Sequence, residues 1–389
     1  MLKKYLNSDL KIIFASICST LIAIGLGRFI YTPILPNMQN ALNLSSTMMG
    51  IISSYNYLGY LIGSIIPIIW KFSNHRNIII FSSVISVITI FLMGITTDMK
   101  HFILLRFLCG ISSALGFIFT ISFMFNFFKD SKNKTLQLYH FCGIGLGIVI
   151  GTIAVWIAST YGFFWYHQWI CIGYIGILLC IPLVLFIPKQ LVVNNEKKTS
   201  KKSKFNASFL TISFGYFFFG IGYIIFGTFI SAMARDEFNI SSYQYFFWII
   251  VGLFAIPSVL IWDRISKKIS VDYLLFFSCF TVTLGVLFLF FGNKLNFFFI
   301  SCLLYGLGVP GSVALILVEG KKRFVGNINT SVAILTSAFS IGQILGPYLS
   351  GILIDTENKY KSSITLSFVC LVLSSFLMID PKRFRIFKS

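Results

Sequence analysis

The sequence contains little charge, and acidic residues are especially scarce. Charged side chains make up 11% of the 389 residues, with 12 acidic residues against 31 lysines and arginines. A soluble domain of average composition carries about 25% charged residues, so this composition excludes an ordinary soluble protein. Every acidic residue lies in a predicted loop or at a predicted membrane edge. The sequence therefore offers no carboxylate at mid-membrane, where a proton-driven carrier of cations usually needs one.

Signatures of enzymes and of metal centres are also missing. The sequence has no Ser-His-Asp set within reach, no H-E-x-x-H motif and no phosphate-binding loop followed by a basic residue. The eight cysteines all fall in apolar segments, without the spacing of metal ligands. The glycine-rich run at 143–147 follows no strand, so it predicts helix packing and not nucleotide binding. We therefore expect no catalysis, no cofactor and no bound metal ion.

Long apolar runs dominate the chain instead. Hydrophobic residues make up 57% of the sequence. A helix needs about 20 apolar residues to cross the hydrocarbon core of a membrane. Such runs predict an all-α membrane protein with twelve transmembrane helices, at residues 12–35, 48–70, 78–97, 102–126, 137–159, 167–187, 209–233, 244–262, 273–292, 296–318, 330–354 and 363–379.

The placement of the basic residues predicts the orientation of these helices. Most lysines and arginines fall in loops on the side of the chain termini. Two others, Arg28 and Arg106, lie within helices, and five lie on the opposite side: Lys100, Arg235, Lys294, Lys359 and Lys361. By the positive-inside rule both termini are cytoplasmic, in a multi-pass protein of the inner (plasma) membrane. The net charge of +19 then reflects topology in the lipid bilayer and does not indicate a nucleic-acid partner.

An internal repeat divides the twelve helices into six and six. At a shift of about 195 residues, segment 25–28 matches segment 220–223, so Tyr223 takes the position of Arg28. Gly147 in the fifth helix corresponds in the same way to Gly342 in the eleventh. Two parallel six-helix repeats are the architecture of rocker-type secondary transporters, whose binding site lies between the halves.

A basic, polar stretch separates the two halves. Residues 189–208 are rich in lysine, asparagine and serine and have almost no apolar content. We predict a cytoplasmic linker there, between an N-terminal six-helix bundle at 1–188 and a C-terminal six-helix bundle at 209–389.

The first predicted helix holds an arginine inside an apolar run. Arg28 follows Gly25 and Gly27 and precedes the polar pair Tyr31 and Thr32. An arginine at such a position costs about 2.5–3.5 kcal/mol on insertion scales. Two interpretations remain open, because Arg28 either faces a polar cavity or reaches outward to the membrane interface.

Taken together, these features resemble the major facilitator superfamily, and within it the YbfB/YjiJ-type branch of bacterial transporters. The matching segments run in order along nearly the whole chain, at 27–36, 56–63, 106–114, 143–148, 222–229, 257–262 and 342–347. The resemblance implies two six-helix bundles in pseudo-twofold repeat. It also implies a secondary transporter that works as one chain and takes a small-molecule substrate.

The chain departs from the superfamily's pattern at several motifs. Loop 67–76 lacks the acidic residue usual between the second and third helices, whereas Asp263 and Arg264 preserve the second-half copy. The fifth helix has Ile148 where the exporter-associated motif has proline, which weakens an inference of drug export. The resemblance assigns gating and helix packing to six positions: Gly147, Gly151, Asp263, Arg264, Gly346 and Pro347.

Polar side chains within the helices are the candidate substrate ligands. Arg28 and Arg106 have no acidic partner visible in the sequence, which favours an anionic substrate held by guanidinium groups. Arg106 has a second interpretation, hydrogen bonding to helix carbonyls. Tyr31 lies one turn after Arg28 and is expected to face the same side. Amides in membrane helices either join helices or bind solute. The predicted binding set is Arg28, Tyr31, Asn56, Arg106, Tyr223 and Gln343.

The sequence thus predicts a secondary active transporter that moves a small anionic or zwitterionic organic compound by alternating access. The alternative is a proton-coupled antiporter that exports amphipathic or drug-like compounds, with aromatic side chains dominating binding. A non-transporting membrane receptor belongs to a third class, and the absence of a sizeable predicted soluble domain disfavours it. Protons are a candidate coupling ion.

Overall fold

The described residues form twelve helical stretches, each long and apolar enough to cross a membrane. A computed structural model describes residues 2–70, 72, 74–189, 206–240, 242–291, 294–324, 328–356 and 360–380, and all their regular elements are helical. The predicted all-α fold with twelve membrane-spanning helices is therefore confirmed, and the side on which the termini lie stays a prediction. Most of the predicted linker, 189–208, lies outside the described residues. The spans are Asp9–Leu42, Ser46–Ile69, His75–Met93, Met99–Phe127, Lys134–Thr160, Trp165–Phe186, Ala207–Phe238, Tyr243–Ser266, Tyr273–Phe291, Leu295–Arg323, Ile334–Asp355 and Tyr360–Leu377.

Three of the spans change helix type along their length. The first combines an α-helix at Leu2–Thr20, a π-helix at Leu21–Phe29 and an α-helix at Tyr31–Leu42. The fifth begins with a 3₁₀-helix at Lys134–Phe141, and the ninth ends with one at Leu289–Phe291. A π-helix bonds each N–H to the carbonyl five residues back, and such segments occur frequently at functional sites.

Short polar residues mark where the helices begin and end. The side chains of Asn74, Asp98 and Asn206 each accept a hydrogen bond from a backbone N–H two or three residues further on. Asn43 and Asn239 end the first and seventh spans in the left-handed conformation, with φ of 50° and 54°. The two asparagines cap their helices in the same conformation at equivalent places in the two halves, as the internal repeat predicts.

The repeat is also present in how the helices pack. A Cβ atom built on Gly25 would lie 2.5 Å from the Cα of Gly147, so the first and fifth spans touch backbone to backbone. In the second half, a Cβ on Gly342 would lie 3.2 Å from the carbonyl carbon of Gly220, where the eleventh span crosses the seventh. Small residues allow this close approach between membrane helices.

Gly147→Ala is expected to destabilise the protein, because the added methyl group meets backbone atoms that cannot rotate away. Overpacking of this kind costs about 1–3 kcal/mol. Gly116→Ala is the matched control, since its nearest neighbour is the Ser82 hydroxyl at 3.1 Å, a side chain that can move. Thermal unfolding of the detergent-solubilised variants measures the difference. Equal melting temperatures for the two variants would contradict this packing role.

Two pairs of spans bring the halves into backbone contact. Gly50 of the second span lies against the carbonyl of Pro347 in the eleventh. Between the fifth and eighth spans, a Cβ on Gly145 would lie 2.5 Å from the carbonyl oxygen of Gly252. The first span also meets the seventh, where Thr32 bonds to the Gly227 carbonyl.

Candidate functional site

Arg28 lies near the end of the π-helix and is almost fully buried. Only 5% of its surface is exposed. Its guanidinium carbon lies 4.3 Å from the ring centre of Tyr60 and 4.8 Å from that of Tyr57, both in the second span. These are cation–π contacts with ring faces. Arg28 is therefore buried among aromatic rings and does not reach outward, and the interpretation in which it faces a polar cavity stays a prediction.

The guanidinium of Arg28 is incompletely satisfied by the protein. Within the described residues, its Nε and Nη2 atoms are buried and have no hydrogen-bond partner. The ion pairs found in that part of the chain join other residues, and none involves Arg28. A buried charge normally has a counter-charge or a full set of hydrogen bonds. Arg28 thus keeps unused hydrogen-bond donors within the part of the chain that the structure describes.

The second half faces Arg28 with tyrosines and an amide. Tyr223 and Tyr216 of the seventh span share a buried cluster with Tyr57 and Tyr60, whose rings contact the guanidinium. The Gln343 amide nitrogen donates to the hydroxyl of Tyr223, while its Oε1 is buried without a partner among the described residues. Tyr305 donates to the Tyr223 carbonyl at 2.8 Å. Tyr223, the repeat equivalent of Arg28, therefore lies opposite it across the interface.

We call this arrangement the central cluster. The sequence analysis predicted three of its six members and did not assign the other three, Tyr57, Tyr60 and Tyr216, to the site. The spacing of Tyr57 and Tyr60 was an available signal, because residues three apart share one face of a helix. The spacing of Tyr216 and Tyr223, seven apart, carries the same information. The members of the central cluster are Arg28, Tyr57, Tyr60, Tyr216, Tyr223 and Gln343.

Arg106 has a different environment from Arg28. Its Nη1 donates to the carbonyl of Gly27 at 2.9 Å, and its Nη2 to the carbonyl of Arg28 at 3.3 Å. Its guanidinium also lies 5.0 Å from the ring centre of Tyr31. Both carbonyls lie near the end of the π-helix, so Arg106 fixes the backbone that carries Arg28. The structure thus supports the second interpretation of Arg106, bonding to helix carbonyls.

Tyr31 and Asn56 also make contacts within the first half. The Tyr31 hydroxyl donates to the carbonyl of Met49 at 3.0 Å, and its ring covers Arg106. These contacts tie Tyr31 to the second and fourth spans, and its place in the binding set stays a prediction. Asn56 Nδ2 donates to the Arg106 carbonyl at 2.9 Å and joins the second and fourth spans. The structure brings neither residue into the central cluster.

Comparison with known proteins places the chain in a family. A family profile, MFS_4, described as an uncharacterised MFS-type transporter YbfB, matches residues 20–379. The chain belongs to this family. The resemblance inferred from the sequence is thereby confirmed, and the protein is a multi-pass membrane transporter of the MFS type. A comparison with curated proteins found no matching sequence.

Solved MFS structures share the fold of this MFS transporter. A variant of the nucleoside transporter NupG superimposes with a TM-score of 0.73 at 12% identity, covering 95% of this chain and 98% of that one. A bacterial homologue of the human lysosomal transporter Spinster, inward-facing and unoccupied, has a TM-score of 0.69 at 14% identity. That match covers 95% of this chain and 96% of the homologue. At such identities the likeness shows the fold alone.

The MFS transporter is closed on one of its two faces. We name the face where the first span begins the terminal face, and the opposite one the far face. Hydrogen bonds cross between the halves on the far face, from Asn37 to Tyr245 at 2.8 Å and from Arg235 to the Pro36 carbonyl at 2.9 Å. Nearer the middle, Thr32 donates to the Gly227 carbonyl at 2.5 Å. Within the described residues, no hydrogen bond joins the halves on the terminal face.

Asp355 makes the most extensive polar contact between the halves on the far face. From the end of the eleventh span, its carboxylate accepts hydrogen bonds from the backbone N–H groups of Ser46 and Thr47, at 2.9 and 2.8 Å. The Thr47 hydroxyl donates to the same carboxylate at 2.6 Å. A carboxylate at this position also complements the positive end of the second helix. Asp355 therefore helps to hold the far face closed.

Asp355→Asn is expected to loosen this contact, because an amide cannot accept all three hydrogen bonds. Loss of a helix-capping side chain costs about 0.5–2 kcal/mol, or roughly 2- to 30-fold in local opening. The rate of hydrogen exchange in peptides covering residues 44–50 measures this local opening. Asp98→Asn is the control, since Asp98 caps a helix within its own half. Unchanged exchange at 44–50 in Asp355→Asn would rule out this function of Asp355.

The predicted gating charges lie near the terminal face. Asp263 pairs with Lys267 of its own helix at 3.4 Å, and Arg264 forms no ion pair among the described residues. The pair therefore makes no contact that locks the two halves together in this structure. Gly151 packs on Ile30 of the first span, and Gly346 on the backbone of Ile221 in the seventh.

Proposed function

We propose that this transporter moves a small organic anion or zwitterion across the inner (plasma) membrane by alternating access. Arg28 holds the anionic group between the two halves. The terminal face is cytoplasmic in this proposal, and one chain is the working unit. Proton coupling, suggested by the sequence, remains a prediction.

The main support is the state of the Arg28 guanidinium. It is buried, it touches aromatic rings, and two of its nitrogen atoms have no hydrogen-bond partner among the described residues. A carboxylate would supply both the missing counter-charge and two acceptor oxygens, and such charge-assisted bonds are about twice as strong as neutral ones. The second half would complete the site with the Tyr223 hydroxyl and Gln343 Oε1, an acceptor for the amine of a zwitterion.

The location of Arg28 also supports alternating access. Its contacts Tyr57 and Tyr60 belong to the first half, and they share a buried cluster with Tyr216 and Tyr223 of the second. A solute bound there would contact both halves at once. Rocking of one half against the other could then expose it on either face.

One observation favours the second candidate, a proton-coupled exporter of amphipathic compounds. Aromatic rings surround Arg28 on both sides of the interface, and aromatic faces also attract organic cations. In that case Arg28 would compete with a cationic substrate for the rings. The two candidates therefore predict opposite effects of removing Arg28.

Ligand-induced thermal stabilisation of the purified protein tests the proposal. The panel contains organic carboxylates, zwitterionic amino acids and lipophilic cations of similar size. A ligand at a hundredfold excess over its Kd stabilises the folded state by about 2.7 kcal/mol. We expect anions or zwitterions to stabilise the wild type and not Arg28→Ala. Stabilisation by lipophilic cations, preserved or increased in Arg28→Ala, would overturn the proposal and support the exporter.

A further inference from the structure

The second half presents a layer of nearly parallel aromatic rings to the interface. Phe339 of the eleventh span stacks on Tyr216 with ring centres 4.3 Å apart and on Tyr223 at 5.3 Å, with interplanar angles of 12° and 9°. Phe219 stacks on Tyr223 at 5.5 Å and 13°. The three seventh-span residues are spaced by three and four positions, so they share one helix face. We call these four residues the ring layer.

The ring layer faces the tyrosines that hold Arg28. Tyr57 and Tyr60 belong to the same buried cluster as the four residues of the ring layer. The guanidinium of Arg28 lies on the rings of Tyr57 and Tyr60. Aromatic groups of both halves therefore lie close to the guanidinium.

We infer that the site selects carboxylates carried on a flat aromatic body. The carboxylate binds the free donors of Arg28, and the aromatic ring inserts against the ring layer, with Phe339 as the specificity-determining residue. This inference rests on the proposed function, because it assumes an anion at Arg28. Each favourable aromatic pair contributes roughly a two- to tenfold gain in affinity beyond the burial of its area.

A matched pair of probes separates stacking from charge and from hydrophobicity. Benzoate and cyclohexanecarboxylate have the same charge and nearly the same size, but only benzoate is flat and has a π-system. The saturated ring is at least as hydrophobic as the aromatic one, so burial of apolar area alone gives benzoate no advantage. Stacking does give benzoate an advantage, because stacking requires a flat face.

Isothermal titration calorimetry of the purified full-length protein gives the two dissociation constants. We expect benzoate to bind at least about fivefold more tightly than cyclohexanecarboxylate, and 2-naphthoate to exceed its saturated analogue by a larger ratio. Equal affinities, tighter binding of the saturated members, or no binding of either probe would overturn the inference.

Phe339→Leu is expected to reduce the benzoate preference to a ratio near one, because leucine removes the stacking face but keeps an apolar side chain. Phe290→Leu is the matched control, since Phe290 lies at the periphery and packs edge-on to Phe368. The control is expected to keep the preference of the wild type. If Phe339→Leu keeps the preference for benzoate over cyclohexanecarboxylate, then Phe339 does not determine specificity.

Titration of Arg28→Ala distinguishes this inference from the proposed function. If both probes bind equally and both lose affinity in Arg28→Ala, the aromatic selectivity fails and the anion site stands. If binding of either probe is unchanged in Arg28→Ala, the anion site itself fails.

Discussion

Arg28→Ala is expected to weaken the binding of organic anions by roughly 30- to 4,000-fold. Removing one partner of a buried, hydrogen-bonded charge pair costs about 2–5 kcal/mol, and each 1.4 kcal/mol is tenfold in affinity. Isothermal titration calorimetry with the tightest-binding carboxylate of the panel measures the change. The large effect follows from burial, because water cannot replace the guanidinium at a site with 5% exposure.

Two controls accompany this measurement: the anion affinity of Arg28→Lys and the stability of unliganded Arg28→Ala. Lysine keeps the charge but loses the forked donors, so we expect an intermediate affinity. The unliganded Arg28→Ala protein should fold as well as the wild type, because no described residue relies on Arg28 as a hydrogen-bond donor. Full affinity in Arg28→Ala would contradict the anion site, and a failure of both variants to fold would show a structural function instead.

Arg106→Ala is expected to destabilise the protein by about 3–6 kcal/mol. The substitution removes two hydrogen bonds from a charged donor to buried carbonyls, and each such bond contributes about 1.5–3 kcal/mol. The Arg28 carbonyl would lose its side-chain donor, and the Gly27 carbonyl would keep only the long contacts from Asn56 Nδ2 at 3.4 Å and Cys109 Sγ at 3.3 Å. Thermal unfolding in detergent measures the loss.

Arg76→Ala is the matched control for Arg106→Ala. Arg76 also donates to two backbone carbonyls, those of Val184 and Ile187, each at 2.8 Å, but it lies at the end of its helix where water can substitute. Arg76→Ala should therefore lower the free energy of unfolding much less than Arg106→Ala does. If Arg106→Ala instead melts like the wild type and loses anion binding selectively, Arg106 would be a substrate ligand and not a positioning residue.

Hydrophobicity alone was sufficient to predict most of the fold. Twelve apolar runs predicted twelve spans, and the matches between the halves predicted the repeat seen where Gly25 meets Gly147 and Gly220 meets Gly342. The ends of the helices were less predictable. The seventh span continues to Phe238 and the tenth to Arg323, because helices extend into the aqueous layer beyond their apolar run.

The two intramembrane arginines show what the sequence could not decide. Arg28 and Arg106 look alike in sequence, since each is a lone cation in an apolar helix without an acidic partner. Only the structure shows that Arg106 donates both terminal nitrogen atoms to carbonyls of the first span. Among the described residues, Arg106 leaves only Nε without a partner, whereas Arg28 leaves both Nε and Nη2. The π-helix at Leu21–Phe29, which contains both of these carbonyls, was not predicted by any residue pattern either.

The tyrosines of the central cluster were missed for a related reason. The chain has 17 tyrosines, and tyrosine is common at membrane interfaces, where it needs no functional explanation. Tyr57, Tyr60 and Tyr216 acquire significance only when the two halves bring them into one buried cluster. Predicting that contact requires the three-dimensional arrangement of the two halves.

Counterflow in proteoliposomes is the most direct test of whether Arg28 carries an anion through the membrane. Vesicles loaded with the tightest-binding unlabelled carboxylate are diluted into a trace of the same compound in labelled form. We expect transient accumulation of label with the wild type and only background entry with Arg28→Ala. Undiminished accumulation with Arg28→Ala, or none with the wild type, would contradict an arginine-centred anion transporter.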